Sequence, residues 1–504
     1  MAQPVDTVAC SGRGRRTIPV LVLTVICIVG ALLRCWGLGS RSLWLDEFST
    51  WHVSQLGFSE SLQWEPELTI PPLYQISLRP LTGGPRPAEW LLRLPAAFCG
   101  TALLAAAYWL GAIAAGRAAG VSLAALLACN LLQIEYSREA RPYTMLVLGS
   151  TLSVGLWYRL VTRARSIDVF GYVIVTTLSF HAHFLTALTI AAEVVWWLAG
   201  LRGRGHRVLN TAPAKCLLAT IILCVPIVAR SAFSPGDVAR GIGWIEPPAL
   251  SRAVAILGEV TFAAPWLLAV LLPAAVLWSL SGLGLLRLGC GRRHPPYGAS
   301  ARPMEGLLLL WLFCAWGGLL VVSWTVTPIM VARYALPAAV PALLIPLVFA
   351  HRIHPRAVPV IACVFVLGTG PAWLNAPRDV RPGFRELRDY LAEHVDRQES
   401  AAVFALEHPA GSDWAEMERL ALEYYPLNDR PVHELFVNEG PDLPPDSILY
   451  DPRRLYVIEF RADPGPLIEA AGRETEPFVQ EGRPYSRLFF EPYRLLKIAP
   501  PGNR

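Results

Sequence analysis

Two carboxylates stand side by side in Ser42-Leu43-Trp44-Leu45-Asp46-Glu47-Phe48-Ser49, among aromatic residues. An aspartate in such a setting can take the proton of an attacking hydroxyl or position that hydroxyl. Glu47 can raise its neighbour's pKa by like-charge repulsion, or orient other groups. Further along, Glu135-Tyr136-Ser137-Arg138-Glu139-Ala140-Arg141-Pro142-Tyr143 mixes arginines with acids, and Val331-Ala332-Arg333-Tyr334 pairs a cation with a phenol. Guanidinium groups bind phosphate bidentately and do not lose their charge, so Arg138, Arg141 and Arg333 suit a departing phosphate. Ser179-Phe180-His181-Ala182-His183-Phe184 adds two imidazoles. A base together with fixed cations is what displacement of a group from a phosphate requires.

Each piece also has a structural use. Arg138 and Arg141 can pair with Glu135 and Glu139 at an interface, and Arg333 can snorkel toward lipid headgroups. His181 and His183 can serve as helix-packing donors. The outer carboxylates and His183 can equally supply ligands for a divalent metal; the residue pattern leaves both the ligand set and the metal undecided. Asp46 and Glu47 can simply be hydrated loop acids.

These residues are separated by apolar runs. The 504-residue chain is 54% hydrophobic and 16% charged, with a mean hydropathy of +0.41; soluble domains carry roughly a quarter charged residues. A helix needs roughly 20 apolar residues to cross a bilayer. The runs predict eleven such helices, near 17–38, 91–114, 118–134, 143–161, 169–182, 184–201, 213–231, 263–287, 305–325, 334–351 and 356–375. The ten cysteines are scattered singly and read as small apolar packing residues.

Loop charge orients the helices. Alternate loops carry Arg13, Arg15, Arg16, Arg117, Arg159, Arg163, Arg165, Arg202, Arg204, Arg207, Arg287, Arg292, Arg293, Arg302, Arg352 and Arg356, with only Asp6, Asp168 and Glu305 as acids. The other loops hold Asp46, Glu47, Glu65, Glu67, Glu89, Glu135, Glu139, Asp237, Glu246 and Glu259. The positive-inside rule therefore puts the basic N-terminus, residues 1–16, in the cytoplasm and all four motifs on the outer face. The net charge of +5 serves orientation and is not a nucleic-acid signal. Residues 39–90 form a long outer loop, in which Ile70-Pro71-Pro72-Leu73-Tyr74 through Leu81 is too short to span and reads as an interfacial helix. Glu193 lies within an apolar run, where a protonated or interhelically bonded carboxyl is the economical reading.

After residue 375 the composition changes. Clusters of strand length at 401–406, 432–437, 454–460 and 485–490 alternate with helical segments. Phe384, Leu387, Leu391 and Val395 share one face of an amphipathic helix. Residues 376–504 read as a small soluble α/β domain outside the cytoplasm. Its Trp414, Tyr424, Tyr425 and Tyr450 can stack on sugars or fill a core.

In order and spacing, the LWLDE stretch, the PPLY segment, Arg93-Leu94-Pro95, the Glu139-Ala140-Arg141 turn and the Arg333-Tyr334 pair resemble the family 39-like branch of class C (GT-C) glycosyltransferases, over roughly residues 17 to 375. That branch includes protein O-mannosyltransferases, lipid A aminoarabinose transferases and bacterial RgtA/B/C/D-like sugar transferases. The resemblance implies a polytopic α-helical enzyme of the cell membrane that moves a sugar, with inversion, from a polyprenyl-phosphate donor to a glycan, lipid or protein acceptor on the outer face. It maps the first-loop acid onto Asp46 with Glu47 beside it, the second motif onto Glu139, Arg141 and Tyr143, and the late pair onto Arg333 and Tyr334. Tyr74, His181 and His183 line the implied site. Two departures stand out: Ile70 where relatives often have histidine, and Arg138 where they usually have glutamine. A transporter of lipid-linked glycans would want charges inside the spans and matching halves, and no internal repeat is evident. A non-catalytic scaffold would leave Asp46, Glu139, Arg141 and Arg333 without a task.

Overall fold

The structure is a computed structural model that describes residues 14–64, 70–82, 84–163, 165–200, 211–232, 245–261, 273, 304–374, 383–394, 400–406, 413–426, 432–437, 447–459, 464–476, 478–480, 483–485, 488–490 and 493–500. In chain order its helices are α1 (Gly14–Cys35), α2 (Leu45–Gln55), α3 (Phe58–Ser61), α4 (Leu73–Leu78), α5 (Glu89–Ala128), α6 (Leu131–Tyr136), α7 (Tyr143–Arg163), α8 (Ser166–Ala182), α9 (Thr186–Ala199), α10 (Ala212–Ala232), α11 (Leu250–Thr261), α12 (Met304–Thr325), α13 (Ala332–Ile353), α14 (Ala357–Leu374), α15 (Phe384–His394), α16 (Asp413–Tyr424) and α17 (Gly465–Ala470). Five of the described helices, α5, α7, α10, α12 and α13, are long and apolar enough to cross a membrane; α1, α8, α9 and α14 contribute shorter apolar stretches. Every expected span except 263–287, of which only residue 273 is described, overlaps a helix, and that at 118–134 is broken between Ala128 and Leu131.

The spans expected at 91–114 and 118–134 are the two arms of α5, folded back at Ala115 and Gly116. Gly116 has φ +81°, a left-handed conformation that L side chains seldom adopt. Next to this turn the arms meet at glycines: a Cβ on Gly120 would run into the Tyr108 carbonyl, and one on Gly111 into the Gly120 Cα. Such small-residue contacts let membrane helices approach closely enough to gain packing energy where lipid supplies no hydrophobic drive.

The amphipathic helix α11 was not expected. Arg252 and Glu259 pair with each other on it, and the apolar run is too short to read as a span. Its Ala253, Ile256 and Val260 pack on Leu319, Met330, Ala335 and Ala339.

The chain divides into two compact units: Met1–Trp36, Thr69–Tyr74 and Arg93–Ala376 form the first; Gly37–Leu68, Gln75–Leu92 and Pro377–Arg504 form the second. The long first loop thus folds largely with the tail rather than with the apolar helices.

Polar side chains hold three helices of the first unit together. Thr189 Oγ1 donates to Ser150 Oγ at 3.0 Å, and Ser179 and Thr186 share a hydrogen bond of 2.9 Å. Ser153 and Tyr172 donate to the two oxygens of Glu193 at 2.7 and 2.8 Å, and Trp157 Nε1 reaches the Glu193 carbonyl at 3.0 Å. These residues recur every three or four positions on α7, α8 and α9, and so lie along facing stripes. Glu193 is interhelically bonded, as its apolar surroundings demand. The two described acids of the arginine-rich loops are paired as well: Asp168 lies 2.8 Å from Arg159, and Glu305 pairs with Arg352.

In the second unit the sheet runs β2 (Val432–Phe436), β1 (Ser400–Leu406), β3 (Arg454–Glu459), β8 (Tyr493–Ile498), β4 (Thr475–Glu476). β1 is parallel to both neighbours, with Val403 opposite His433 and Val457; β3 and β8 are antiparallel, with Val457 opposite Leu496. The cluster expected at 485–490 divides into β6 (Arg483–Tyr485), paired with β5 (Phe478–Gln480), and β7 (Leu488–Phe490), which pairs with β8. Three of the four residues expected on the amphipathic face of α15, Phe384, Leu387 and Leu391, are fully buried; Val395 lies outside the described residues.

Gly120→Val is expected to cost about 2 kcal/mol, because the added carbons meet backbone. Gly370→Ala, where a Cβ meets nothing within 4 Å, is expected to be neutral or slightly stabilising. Thermal unfolding of both variants in detergent checks the contrast; equal midpoints would refute the packed hairpin.

Candidate functional site

In the first unit, three turns bring their side chains together. The turn into α7 carries Arg141 and Tyr143, the turn between α8 and α9 carries His183, and the start of α13 carries Arg333 and Tyr334. The His183 ring lies 5.9 Å from that of Tyr143 and 5.5 Å from that of Tyr334, and the two tyrosines are 6.2 Å apart. Tyr136 extends the cluster, 5.3 Å from Tyr143, and the Arg333 guanidinium sits 5.6 Å over the Tyr334 ring. The site residues most distant in sequence, Arg141 and Arg333, both act electrostatically on His183.

Local geometry fixes the histidine. α8 ends at Ala182, and the His183 N–H closes it by donating to the Ser179 carbonyl at 2.9 Å, while Thr186 N–H donates to the His183 carbonyl at 3.1 Å. Leu185 N–H donates to His183 Nδ1 at 3.2 Å. An imidazole nitrogen that accepts carries no proton, so the neutral ring holds its proton on Nε2. Nε2 is buried with no hydrogen-bond partner. The whole residue is only 4% exposed. Burial first, and then Arg141 and Arg333, push its pKa down to about 3.

Below this turn is an apolar cavity of about 470 Å³ between α8, α9 and α10, lined by Phe180, Ile190, Leu217, Thr220, Val225 and Val228 among others. Phe180 precedes His183 by one helical step, and its ring packs 5.6 Å from Phe184. The cavity is an open groove: the lining residues Ile221, Val225 and Val228 on α10 are themselves exposed, as are their neighbours Leu218 and Ile222.

The remaining expected residues are placed as follows. His181 Nδ1 bonds to the Thr177 carbonyl of its own helix at 2.9 Å. Tyr74 is fully buried in the first unit. At the neighbouring departure from the family pattern, the Ile70 carbonyl accepts from Arg230 at 3.3 Å, a contact no motif announces. Arg138 and Glu139 lie in the turn after α6, and both take part in interactions.

Asp46 and Glu47 belong to the second unit, in the first turn of α2. Glu47 is buried and its Oε2 accepts from Trp44 N–H at 3.4 Å, so this acid helps to cap the helix that carries Asp46. Phe48 and Trp51 on α2 pack against Tyr424 at 6.0 and 5.0 Å, and Phe48 lies 5.9 Å from Tyr425. Tyr425 accepts from Leu43 N–H at 3.1 Å and donates to Glu89 Oε1 at 2.5 Å. Arg385 joins the same carboxylate at 2.9 Å and reaches the Ser40 carbonyl at 2.6 Å. Burial and Glu89 together raise the Tyr425 phenol pKa far above its ordinary value. Tyr424 and Tyr425 are therefore core residues of this unit, while Tyr450 is half exposed; the Trp414 side chain lies outside the described residues. Among the described residues, no three His, Cys, Asp or Glu side chains gather as a metal cluster.

No family model and no curated protein matches the sequence. Among solved structures, the chain is similar to ArnT from Cupriavidus metallidurans bound to undecaprenyl phosphate: TM-score 0.53, 12% identity, 97% of this chain and 98% of that one. The apo state of the same protein gives 0.53 at 12% identity over 96% and 98%. The Archaeoglobus fulgidus oligosaccharyltransferase is a weaker likeness, TM-score 0.47 at 11% identity over 89% of this chain and 70% of that one. The likeness to ArnT establishes the fold, that of a polytopic helical membrane protein, over nearly the whole chain.

The position of His183 has a consequence for pH. Its folded pKa, about 3, lies below the unfolded value near ~6.5, so between them the unfolded chain binds one more proton and stability falls as pH drops. From pH 7 to pH 5 the unsubstituted chain is expected to lose about 2 kcal/mol more than His183→Gln. Denaturant unfolding in detergent at the two pH values measures this, and parallel losses would disprove a neutral buried ring.

Proposed function

We propose that the chain is an inverting glycosyltransferase of the GT-C type that takes a sugar from a polyprenyl-phosphate donor and transfers it to a hydroxyl of a glycan, lipid or protein on the outer face of the cell membrane. The observation that carries this reading is the meeting of Arg141, Arg333 and a neutral His183 at the end of the helix whose Phe180 lines an open apolar groove. Two fixed cations suit a phosphate, and a greasy cavity one helical step away suits part of an isoprenoid tail. That the similar ArnT structure was solved with undecaprenyl phosphate supports the same ligand class for this chain.

In the proposed reaction the acceptor oxygen attacks the anomeric carbon as its bond to the phosphate oxygen breaks. The phosphate leaves with the electron pair, and the acceptor proton passes to Asp46. Arg141 and Arg333 stabilise the charge that grows on the phosphate, and Arg138 adds positive potential. A phosphate leaving group needs little protonation, so one carboxylate suffices, and Glu47 is left to cap α2. Tyr143 and Tyr334 wall the site, Glu139 orients its cations, and Tyr74 and His181 shape its surroundings. We place the N-terminus in the cytoplasm and residues 376–504 outside it, following the loop charges. An enzyme is preferred to a transporter because the one buried acid within α9, Glu193, is satisfied by Ser153 and Tyr172 instead of facing a path.

Asp46→Asn, with normal membrane insertion, is expected to lower sugar transfer by at least ~10²-fold, the scale of a lost general base. Arg141→Ala and Arg333→Ala are expected to raise KM for the lipid donor. Transfer from a radiolabelled polyprenyl-phosphate sugar in membranes is the readout; full activity of Asp46→Asn would end this proposal.

A further inference from the structure

We propose that His183 is a third anion donor of the site, holding its proton on Nε2 and presenting that N–H to a phosphate oxygen of the lipid already gripped by Arg141 and Arg333. The inference rests on the phosphate-site reading above and adds a residue, an atom and a tautomer to it.

Geometry leaves His183 little else to do. Its Nδ1 lone pair is engaged by the Leu185 N–H, and its backbone N–H and carbonyl are engaged by Ser179 and Thr186. The ring packs against both Tyr143 and Tyr334, the three centroids forming a triangle. What remains is a buried N–H with no acceptor, on a ring close enough to Arg141 and Arg333 for both to act on it electrostatically. A buried donor left unsatisfied costs about 1–3 kcal/mol, and an arriving acceptor removes that cost. Only an acceptor rich in negative charge is welcome beside two arginines.

The same geometry argues against two other roles. A general base needs an available lone pair, and neither ring nitrogen has one. A metal cation would have to displace the Leu185 N–H and sit beside Arg141 and Arg333. A neutral donor instead supports the anion without adding a third cation to a desolvated site, where like charges repel strongly. The ladder of Ser179–Thr186 and Ser150–Thr189 hydrogen bonds holds α8 and α9 where the turn needs them.

The test uses the full chain in detergent, titrated with farnesyl phosphate and, separately, with farnesol, and followed by intrinsic tryptophan fluorescence. A glutamine amide N–H reaches the place of Nε2–H, whereas an asparagine amide stops at the level of Nδ1. His183→Gln is expected to keep farnesyl phosphate affinity within about threefold. His183→Asn and His183→Phe are expected to weaken it about tenfold, about 1.4 kcal/mol, with farnesol unaffected. Unchanged affinity in His183→Phe while Arg141→Ala loses binding would overturn the role of His183 alone. Unchanged affinity in Arg141→Ala and Arg333→Ala would instead sink the phosphate site itself. A loss that EDTA reproduces on the unsubstituted chain would assign His183 to a metal and overturn the proposal. Spectra of ¹⁵N-histidine-labelled unsubstituted protein give an answer that needs no variant: one Nε2–H resonance must move downfield with farnesyl phosphate and stay put with farnesol, and a spectrum that does not move refutes the donor.

Discussion

Inside an apolar bundle, a polar side chain that finds no partner costs several kcal/mol. Helices α7, α8 and α9 meet that constraint with hydroxyls, not charges: Ser150 with Thr189, Ser153 with Thr176 and Glu193, Ser179 with Thr186. Each bond also sets the rotation of one helix against the next, because a hydroxyl reaches only about 3 Å. The end of α8, and with it His183, is placed by this ladder. Had the stripes been leucine, the helices would pack nearly as well and slide more easily.

The candidate site follows from the same economy. Its fixed charges, Arg141 and Arg333, sit at helix ends, where the backbone is already irregular and side chains from three turns can converge. Its neutral member, His183, is buried where a charge would be most costly. The apolar cavity begins one helical step deeper.

The second unit solves a different problem. α2 carries Asp46 on only 11 residues, too few for a helix to persist alone in water. Aromatic packing of Phe48 and Trp51 on Tyr424 and Tyr425, with Glu89 held by both Tyr425 and Arg385, supplies the stability its length does not. The tail is therefore a support for the first loop, and its tyrosines are occupied with packing rather than turned outward toward a sugar.

Amphipathic and apolar periodicity were legible without coordinates, because burial of a whole helix or strand face is a sum over many residues and survives local irregularity. Hence helices stand at the described positions where apolar runs were expected, five of them long and apolar enough to cross a membrane, and the first-loop helix, α15 and the first three strands appear where the pattern puts them. The turn at Ala115 and Gly116 falls in the gap left between the spans at 91–114 and 118–134. Helix α11 was hidden because its apolar run is too short to read as a span, and β8 because Arg494 and Lys497 interrupt it. For the candidate site, residue type singled out the arginines and the histidines as groups able to bind phosphate or carry a proton. It could not say which histidine counts. His181 and His183 are two residues apart and equal in sequence, yet one bonds back to its own helix at Thr177 while the other, past the end of α8, packs against Tyr143 and Tyr334. Nor could it assign Glu47 to a helix cap or Tyr425 to a core. Those choices depend on which groups from distant parts of the chain come within about 3 Å, and only tertiary structure sets that distance.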